Sequence, residues 1–421
     1  MLSFRLAWRS FIRHKRRSII TATAISLSLA MMIAFVGLGD DGHARMAEMG
    51  IRLGAGHVLV QGKGYQQMQT LDHLVAEPDR VVAAAKKLPG VRAVVKRVRA
   101  SGLIVAGEVS APVLVSGVDP TIEPDVSDIA SPDKRITGDY LRRRADMDFQ
   151  NQPADIYLGA ELAKTLKVEL GDRVVLTVSP LDAERPTSAA FFVRGTFRTG
   201  LDEMDAGYAE IPIGEAQKLL KLGAKTTQVA VLLSGLDDTE SATASLRAEL
   251  TDQEELEVLS WKEALRELYE AIVLDDAGLY AMMAIIFVIV AIGIFNTVLM
   301  SVAERTREFG VMMAVGTSKW RLFQIIMAEA VILALASAVV GVGLGLGIHG
   351  LVGHYGIDIT ALAGGDYEIA GIAFGGKIYS RLTPWVVTKW TLVVIGIVLC
   401  SAAYPATRAS LLKPVEAMRH V

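Results

Sequence analysis

A single cysteine, Cys400, leaves the chain without any intramolecular disulfide. An excess of one charge is missing too: the formal net charge of −3 provides no electrostatic footprint for nucleic acid, and no nucleic-acid partner is expected. Nucleotide hydrolysis has no home in the chain. The nearest approach to a phosphate-cradling loop, GHVLVQGKG from Gly56 to Gly64, has His57 where glycine is required and Gly64 where Ser or Thr must follow the lysine. Histidines at metal-binding helical spacing are also absent, and His349 and His354 suit an interfacial or solvated role, so no metal site is expected. Without a G-x-S-x-G elbow or another nucleophile motif, the chain is expected to be no enzyme and to hold no cofactor of its own.

What it has in quantity is apolar residues, 52% of the total, gathered into four runs. Ser18 to Leu38 and Gly278 to Val302 carry no charge, and Leu322 to Leu351 contains only Glu329. At about 1.5 Å per residue each covers the roughly 30 Å hydrocarbon core. The fourth run, Trp385 to Tyr404, holds Lys389 near its start, where a long side chain can snorkel to the headgroups beside Trp385 and Trp390. The first run exceeds the roughly 7–15-residue core of a cleaved signal peptide, and no clear A-x-A site follows, so it is expected to be retained.

Orientation follows from the flanks. Arg5, Arg9, Arg13, Lys15, Arg16 and Arg17 precede the first run with no acidic residue among them, which predicts a cytoplasmic N-terminus. Residues 1–17 are then cytoplasmic, 18–39 the first span, 40–276 an external domain, 277–302 the second span and 303–321 a cytoplasmic loop. The third span, 322–352, an external loop, 353–384, the fourth span, 385–405, and a cytoplasmic tail, 406–421, complete the topology. The inner loop carries Arg305, Arg307, Lys319 and Arg321, the outer one only Lys377 and Arg381, in keeping with that assignment.

Between Asp40 and Asp276 short β-rich runs alternate with turn residues. Strands are expected at His57 to Gln61, Val91 to Ala100, near Ile104 and Val115, at Asp172 to Val178, Phe191 to Phe197 and Gln228 to Leu233. Helices are expected at Pro78 to Leu88, Ala160 to Leu166, Gly214 to Leu222, Thr239 to Leu250 and Trp261 to Glu270, giving an α+β domain with room for two lobes. The run GVGLGLG, Gly341 to Gly347, lies inside an apolar span, where small residues favour close helix packing over nucleotide binding.

The most informative stretch is SVAERTREFGVMMAVGTSKWRLFQ, Ser301 to Gln324. Phe309, Met312 and Met313 share a helical face, and Gly316 offers a stop before Thr317 or Ser318 caps the next helix. This predicts a short amphipathic helix at the cytoplasmic surface, with Phe309, Met312 and Met313 as anchors in a partner cleft and Glu304, Arg305, Arg307 and Glu308 fixing its register. An interfacial helix that binds lipid headgroups reads equally well from physics alone. Glu329, acidic and well inside a span, is either a functional carboxylate or a structural partner of Arg321 or Lys319.

The segment ERTREFGVMMAVGTSKWRL resembles the coupling segment of the FtsX-like permease family, which includes lipoprotein-releasing, macrolide-exporter and cell-division permeases. YPATRASLLKPVEAMR, Tyr404 to Arg419, is similar to that family's closing signature. VSGVDP at Val115 to Pro120 and LGAELAKTLKVELGDRVVLTV at Leu158 to Val178 resemble the periplasmic core of the macrolide-exporter (MacB) and lipoprotein-releasing branches. The resemblance implies four transmembrane helices plus an α+β extracytoplasmic domain of the MacB periplasmic-core type, in a bacterial inner membrane. It implies a permease that works by mechanotransmission with two copies of an ABC ATPase, which hold the ATP and Mg2+, and with a second permease chain, identical or a sister. Glu304 to Arg321 would dock the ATPase, with Arg305, Arg307 and Arg321 as polar contacts. Only seventeen residues precede the first run, which favours a separate ATPase over a fused one. The implied substrate is a lipoprotein or another lipidated or amphiphilic molecule. Met31, Met32, Phe35 and Val36 with Met282 and Ile286 would line its lateral opening, unless they serve plain helix packing or face membrane lipid. A scaffold activating a cell-wall hydrolase, or peptide and drug export with an adaptor and outer-membrane duct, are the other branches.

Overall fold

Two units make up the computed structural model, which describes residues 15–68, 71–143, 153–181, 185–358, 367–369, 372–374 and 377–411. One comprises Met1–His43, Val273–Leu362 and Gly376–Val421, the other Ala44–Ile272 with Ala363–Gly375. The basic residues Arg5, Arg9 and Arg13, and the closing signature beyond Leu411, lie outside the described residues.

Four helices have the length and apolarity to cross a membrane: α1 (Lys15–Gly50), α6 (Arg266–Glu304), α8 (Lys319–Tyr355) and α9 (Pro384–Ser410). Two of them overrun the apolar stretches that announce them. The helix of the first run continues to Gly50, and that of the second starts at Arg266, because polar flanks such as Arg266–Glu270, bonded at 2.7 Å, keep helical spacing. The helix expected at Trp261 to Glu270 is therefore a correction. It breaks at Leu265 (φ −112°, ψ 54°) after a short turn, Trp261–Ala264, closed by a Ser260–Glu263 capping box, and its second half belongs to α6.

In the first unit, Ile25, Leu29 and Ile33 of α1 pack with Ile294 of α6, Leu333, Ala334 and Ala338 of α8, and Val394 and Val398 of α9. Small residues at four-residue spacing set the α1–α8 contact. The Ser26 hydroxyl donates to the Ser337 carbonyl at 3.0 Å, and a Cβ on Gly341 would meet the Ser26 carbonyl at 2.9 Å and Leu29 at 3.0 Å. One on Gly345 would meet Ile33 at 3.0 Å, whereas Gly343 and Gly347 face open space. This is the small-residue packing anticipated for the glycine run. Lys389 places its Nζ 5.0 Å from the centre of the Trp390 ring, and Thr383 caps α9 ahead of Pro384.

The second unit is built on a ten-stranded sheet: β1 (Val58–Gly62), β2 (Val91–Ala106), β3 (Val109–Val118), β4 (Arg135–Gly138), β5 (Ala154–Gly159), β6 (Arg173–Val178), β7 (Thr187–Phe197), β8 (Tyr208–Pro212), β9 (Gln228–Leu233) and β10 (Leu256–Ser260). The two separate strands expected on either side of Ser101 are one. Its first part, Val91 to Arg97, pairs antiparallel with β9 in the order β10-β1-β9-β2. From Val98 onward it pairs with β3, and over Gly102 to Val105 with β6. Because β3 also pairs β8, β8 pairs β5, β5 pairs β7 and β7 returns to β6, the second half closes into a six-membered hydrogen-bonded ring. Val98, Ile104, Val115, Ile156, Leu158, Val174, Leu176 and Phe191 fill this barrel.

Helices α2 (Pro78–Ala85) and α5 (Thr239–Glu249) cover the β1–β9 face through Val81, Ala85, Ala242 and Leu246. Two more, α3 (Ala160–Leu166) and α4 (Ile213–Leu219), close the barrel core with Leu162, Leu166, Ala216 and Leu219. The two lobes thus share one strand.

Candidate functional site

The loop between α6 and α8 folds as the short helix α7, Thr306–Ala314. Its boundaries have local causes: Arg305 interrupts the helix at its start, Gly316 sits at φ +99° after its end, and the Ser318 hydroxyl then accepts from the Arg321 N–H to cap α8. Of the two residues proposed for that cap, Ser318 fills it.

Of the three sequence-derived anchors, Phe309 is turned inward and Met312 and Met313 are half-buried. Phe309 is 1% exposed, packed among Val302, Leu322, Ile326, Ala406 and Ala409, with Met312 and Met313 against the same cluster. Phe309 is consumed inside the chain, because α7 lies back on α8 and α9, which supply the apolar surface that a partner was expected to supply to it. The outward face carries other residues. Val311 is 48% exposed, Trp320 66% and Val315 84%, with Arg307, Glu308 and Arg321 exposed around them. Trp320 stacks on Phe323 at 5.3 Å, which holds the indole in place.

Arg305 is a pin rather than a surface contact. Its guanidinium donates to Glu329 at 2.7 Å and to Glu308 at 3.1 Å and covers the Phe309 ring at 4.9 Å. Glu329 thus finds its partner in Arg305, not in Arg321 or Lys319, because Arg305 sits at the α6–α7 junction against α8, while the other two lie at the exposed start of α8. Glu304 is also exposed at this junction.

The residues suggested for a lateral opening split between two faces. Met32 and Val36 are buried against Met283 and Trp390, while Met31, Phe35 and Met282 point outward and Ile286 is half-buried.

The second unit holds a charged cluster that sequence reading missed. Arg97, Glu123 and Glu210 are all at most 2% exposed. Arg97 pairs with Glu123, its Nε donating at 3.1 Å, and the Tyr140 hydroxyl donates to Glu210 at 2.7 Å. Burial, and then the charge of Glu123, push the Glu210 carboxyl up to about 8, although Tyr140, Arg97 and Arg99 oppose the shift. The available signal was charge inside apolar runs: Arg97 and Arg99 in VRAVVKRVRA and Glu210 in YAEIP. His57 is held neutral for a related reason. Burial lowers it to about 4, and its Nδ1 accepts from the Leu233 N–H at 3.2 Å.

Comparison with known proteins covers both units. Residues 18–249 match the MacB-like periplasmic core domain and residues 280–414 the FtsX-like permease C-terminal family. The lipoprotein-releasing system transmembrane protein LolC of Xylella fastidiosa is 23% identical over 97% of each chain. The uncharacterized ABC transporter permease YknZ of Bacillus subtilis is 23% identical over 99% of this chain and 98% of its own. The macrolide export ATP-binding/permease protein MacB of Campylobacter jejuni is 24% identical over 80% of this chain and 52% of its own length. With more than half of its residues in the first match and most of the rest in the second, the chain belongs to the FtsX-like ABC transporter permeases that carry a MacB-like periplasmic core domain.

Proposed function

We propose that α7 is the element gripped by a separate ABC ATPase, and that the permease uses the resulting motion to move a lipidated or amphiphilic substrate out of the inner membrane. The supporting observation is how α7 and its two flanks divide their residues. Phe309 and Arg305 fasten it to the bundle through buried packing and the Glu329 pair, while Val311, Val315 and Trp320 remain outward with charges around them. Exposed apolar residues among charged ones are what a protein partner's groove requires, and an exposed aromatic suits an anchor role. A helix fixed to α8 passes a push onward instead of absorbing it. ATP and Mg2+ belong to the ATPase, two copies of which would serve two permease chains, identical or sister.

Affinity purification from membranes in mild detergent, with mass spectrometry of bound proteins and lipids, tests both parts. An ABC ATPase subunit is expected with the parent chain and lost from the double variant Val315→Asp, Trp320→Asp. Retention of the ATPase on that variant would overturn the docking assignment. Lipoproteins among the bound molecules support the cargo class. A cell-wall hydrolase, or an adaptor with an outer-membrane duct protein, would replace it.

A further inference from the structure

The second unit has an open cleft of about 410 Å3, lined among others by Leu53, Leu114, Leu201, Met204 and Leu268. Its size falls in the roughly 300–1,000 Å3 range of small-molecule sites. The wall is mostly apolar, and the charge of Arg99 breaks it in a way that packing does not explain. Arg99 has no carboxylate within ion-pairing distance among the described residues, and its buried Nε has no hydrogen-bond partner. Gln228, 4% exposed, lines the same cavity and is held by its Nε2, which donates to the Gln61 Oε1 at 3.3 Å. A half-buried guanidinium without a carboxylate partner carries a charge that an anionic ligand could compensate. Tyr65 fixes the strand that carries Arg99, since its hydroxyl donates to the Arg99 carbonyl at 3.2 Å.

Local charge supports the same conclusion. Of the two carboxylates nearby, Glu123 is engaged by Arg97, and Glu210 is kept largely protonated at neutral pH by its burial. Arg99 is thereby left without a compensating anion in the interior. Glu203 also lines the cavity but is exposed and makes no pair with Arg99, so it belongs to the rim.

We propose that this cavity binds an amphiphile, its anionic head, a carboxylate or a phosphate ester, on Arg99 and its apolar tail among Leu53, Leu114, Leu201, Met204 and Leu268. As a station for cargo the site rests on the transport reading; as a binding site it does not, and its test needs neither ATP nor an ATPase.

The full-length chain in non-ionic detergent is photolabelled with a diazirine derivative of dodecanoate, and the modified peptides are mapped by mass spectrometry. Labelling is expected at the peptides bearing Leu53, Met204 and Leu268. Unlabelled dodecanoate and dodecyl phosphate should compete, with the better competitor identifying the head, and dodecyltrimethylammonium should not. Arg99→Met should weaken labelling about tenfold, the loss of one charge-assisted hydrogen bond. Leu201→Trp, which fills the cavity and leaves Arg99 in place, should abolish it at an unchanged melting temperature. Labelling confined to the four apolar runs, 18–38, 278–302, 322–351 and 385–404, or equal in parent, Arg99→Met and Leu201→Trp, would overturn the proposal while leaving the ATPase-docking assignment intact.

Discussion

At the scale of single residues, glycines two apart in one run have opposite consequences. Gly341 touches α1 and Gly343 touches nothing, so Gly341→Val should force the helices apart at a cost of about 1–3 kcal/mol, while Gly343→Ala stays within error. Thermal unfolding in detergent separates the two, and equal effects would refute the contact. Glu210 gives a residue-scale dependence on pH. Its carboxyl sits at about 8 in the fold against an ordinary 4.5, so folding favours the protonated form. The penalty is absent below 4.5, grows as pH rises and levels off above 8. Glu210→Gln should therefore melt increasingly later than the parent between those limits, by an amount on the order of a few kcal/mol. His57 has the opposite slope, losing stability as pH falls from 6.5 toward 4, so parent and variant must be compared at each pH. A gap that does not change with pH would show that Glu210 is not held protonated.

At the scale of elements, α7 shows what a sequence pattern can and cannot reveal. Its helicity, its stop at Gly316 and the cap before α8 were legible, because each depends on residues within one or two turns. Which face turns outward was not, since a row of Phe309, Met312 and Met313 looks alike whether it meets a partner or the chain's own Leu322 and Ala406. Phe309→Ala should consequently act as a core truncation, destabilising the membrane unit by about 3–5 kcal/mol. Differential scanning fluorimetry should record that loss even in the purified permease without any ATPase. A melting temperature unchanged by Phe309→Ala would return the residue to the docking face. Among the strands, β9 was legible to the residue, whereas β4, β5, β8 and β10 were not recognised. They run four to six residues each, and β5 and β8 are buried on both faces, which erases the alternation that marks a half-exposed strand. The charged cluster escaped for a different reason: Arg97, Glu123 and Glu210 are brought together by β2, the segment after β3, and β8, and no local spacing records such a meeting.

At the scale of the whole molecule, the orientation inferred from the basic flanks can be tested directly. With Cys400 replaced by alanine the chain has no thiol, so introduced cysteines report alone. Glu108→Cys, in the turn between β2 and β3, should react with a membrane-impermeant maleimide in intact cells, and Val315→Cys only after permeabilisation. The reverse pattern would invert the topology and remove α7 from the ATPase side. The family assignment was legible because coupling and closing segments are short and local. The substrate was not, because recognition depends on cavities assembled from distant parts of the chain.

The strand common to both lobes carries a mechanical corollary. Sixteen residues of β2 pass from the β9 sheet into the barrel without a hinge. Traction on one lobe therefore loads the other through continuous backbone, in shear across several rungs of hydrogen bonds at once. The external domain should yield as a single body, and the amides of β2 should be the last to exchange with deuterated solvent.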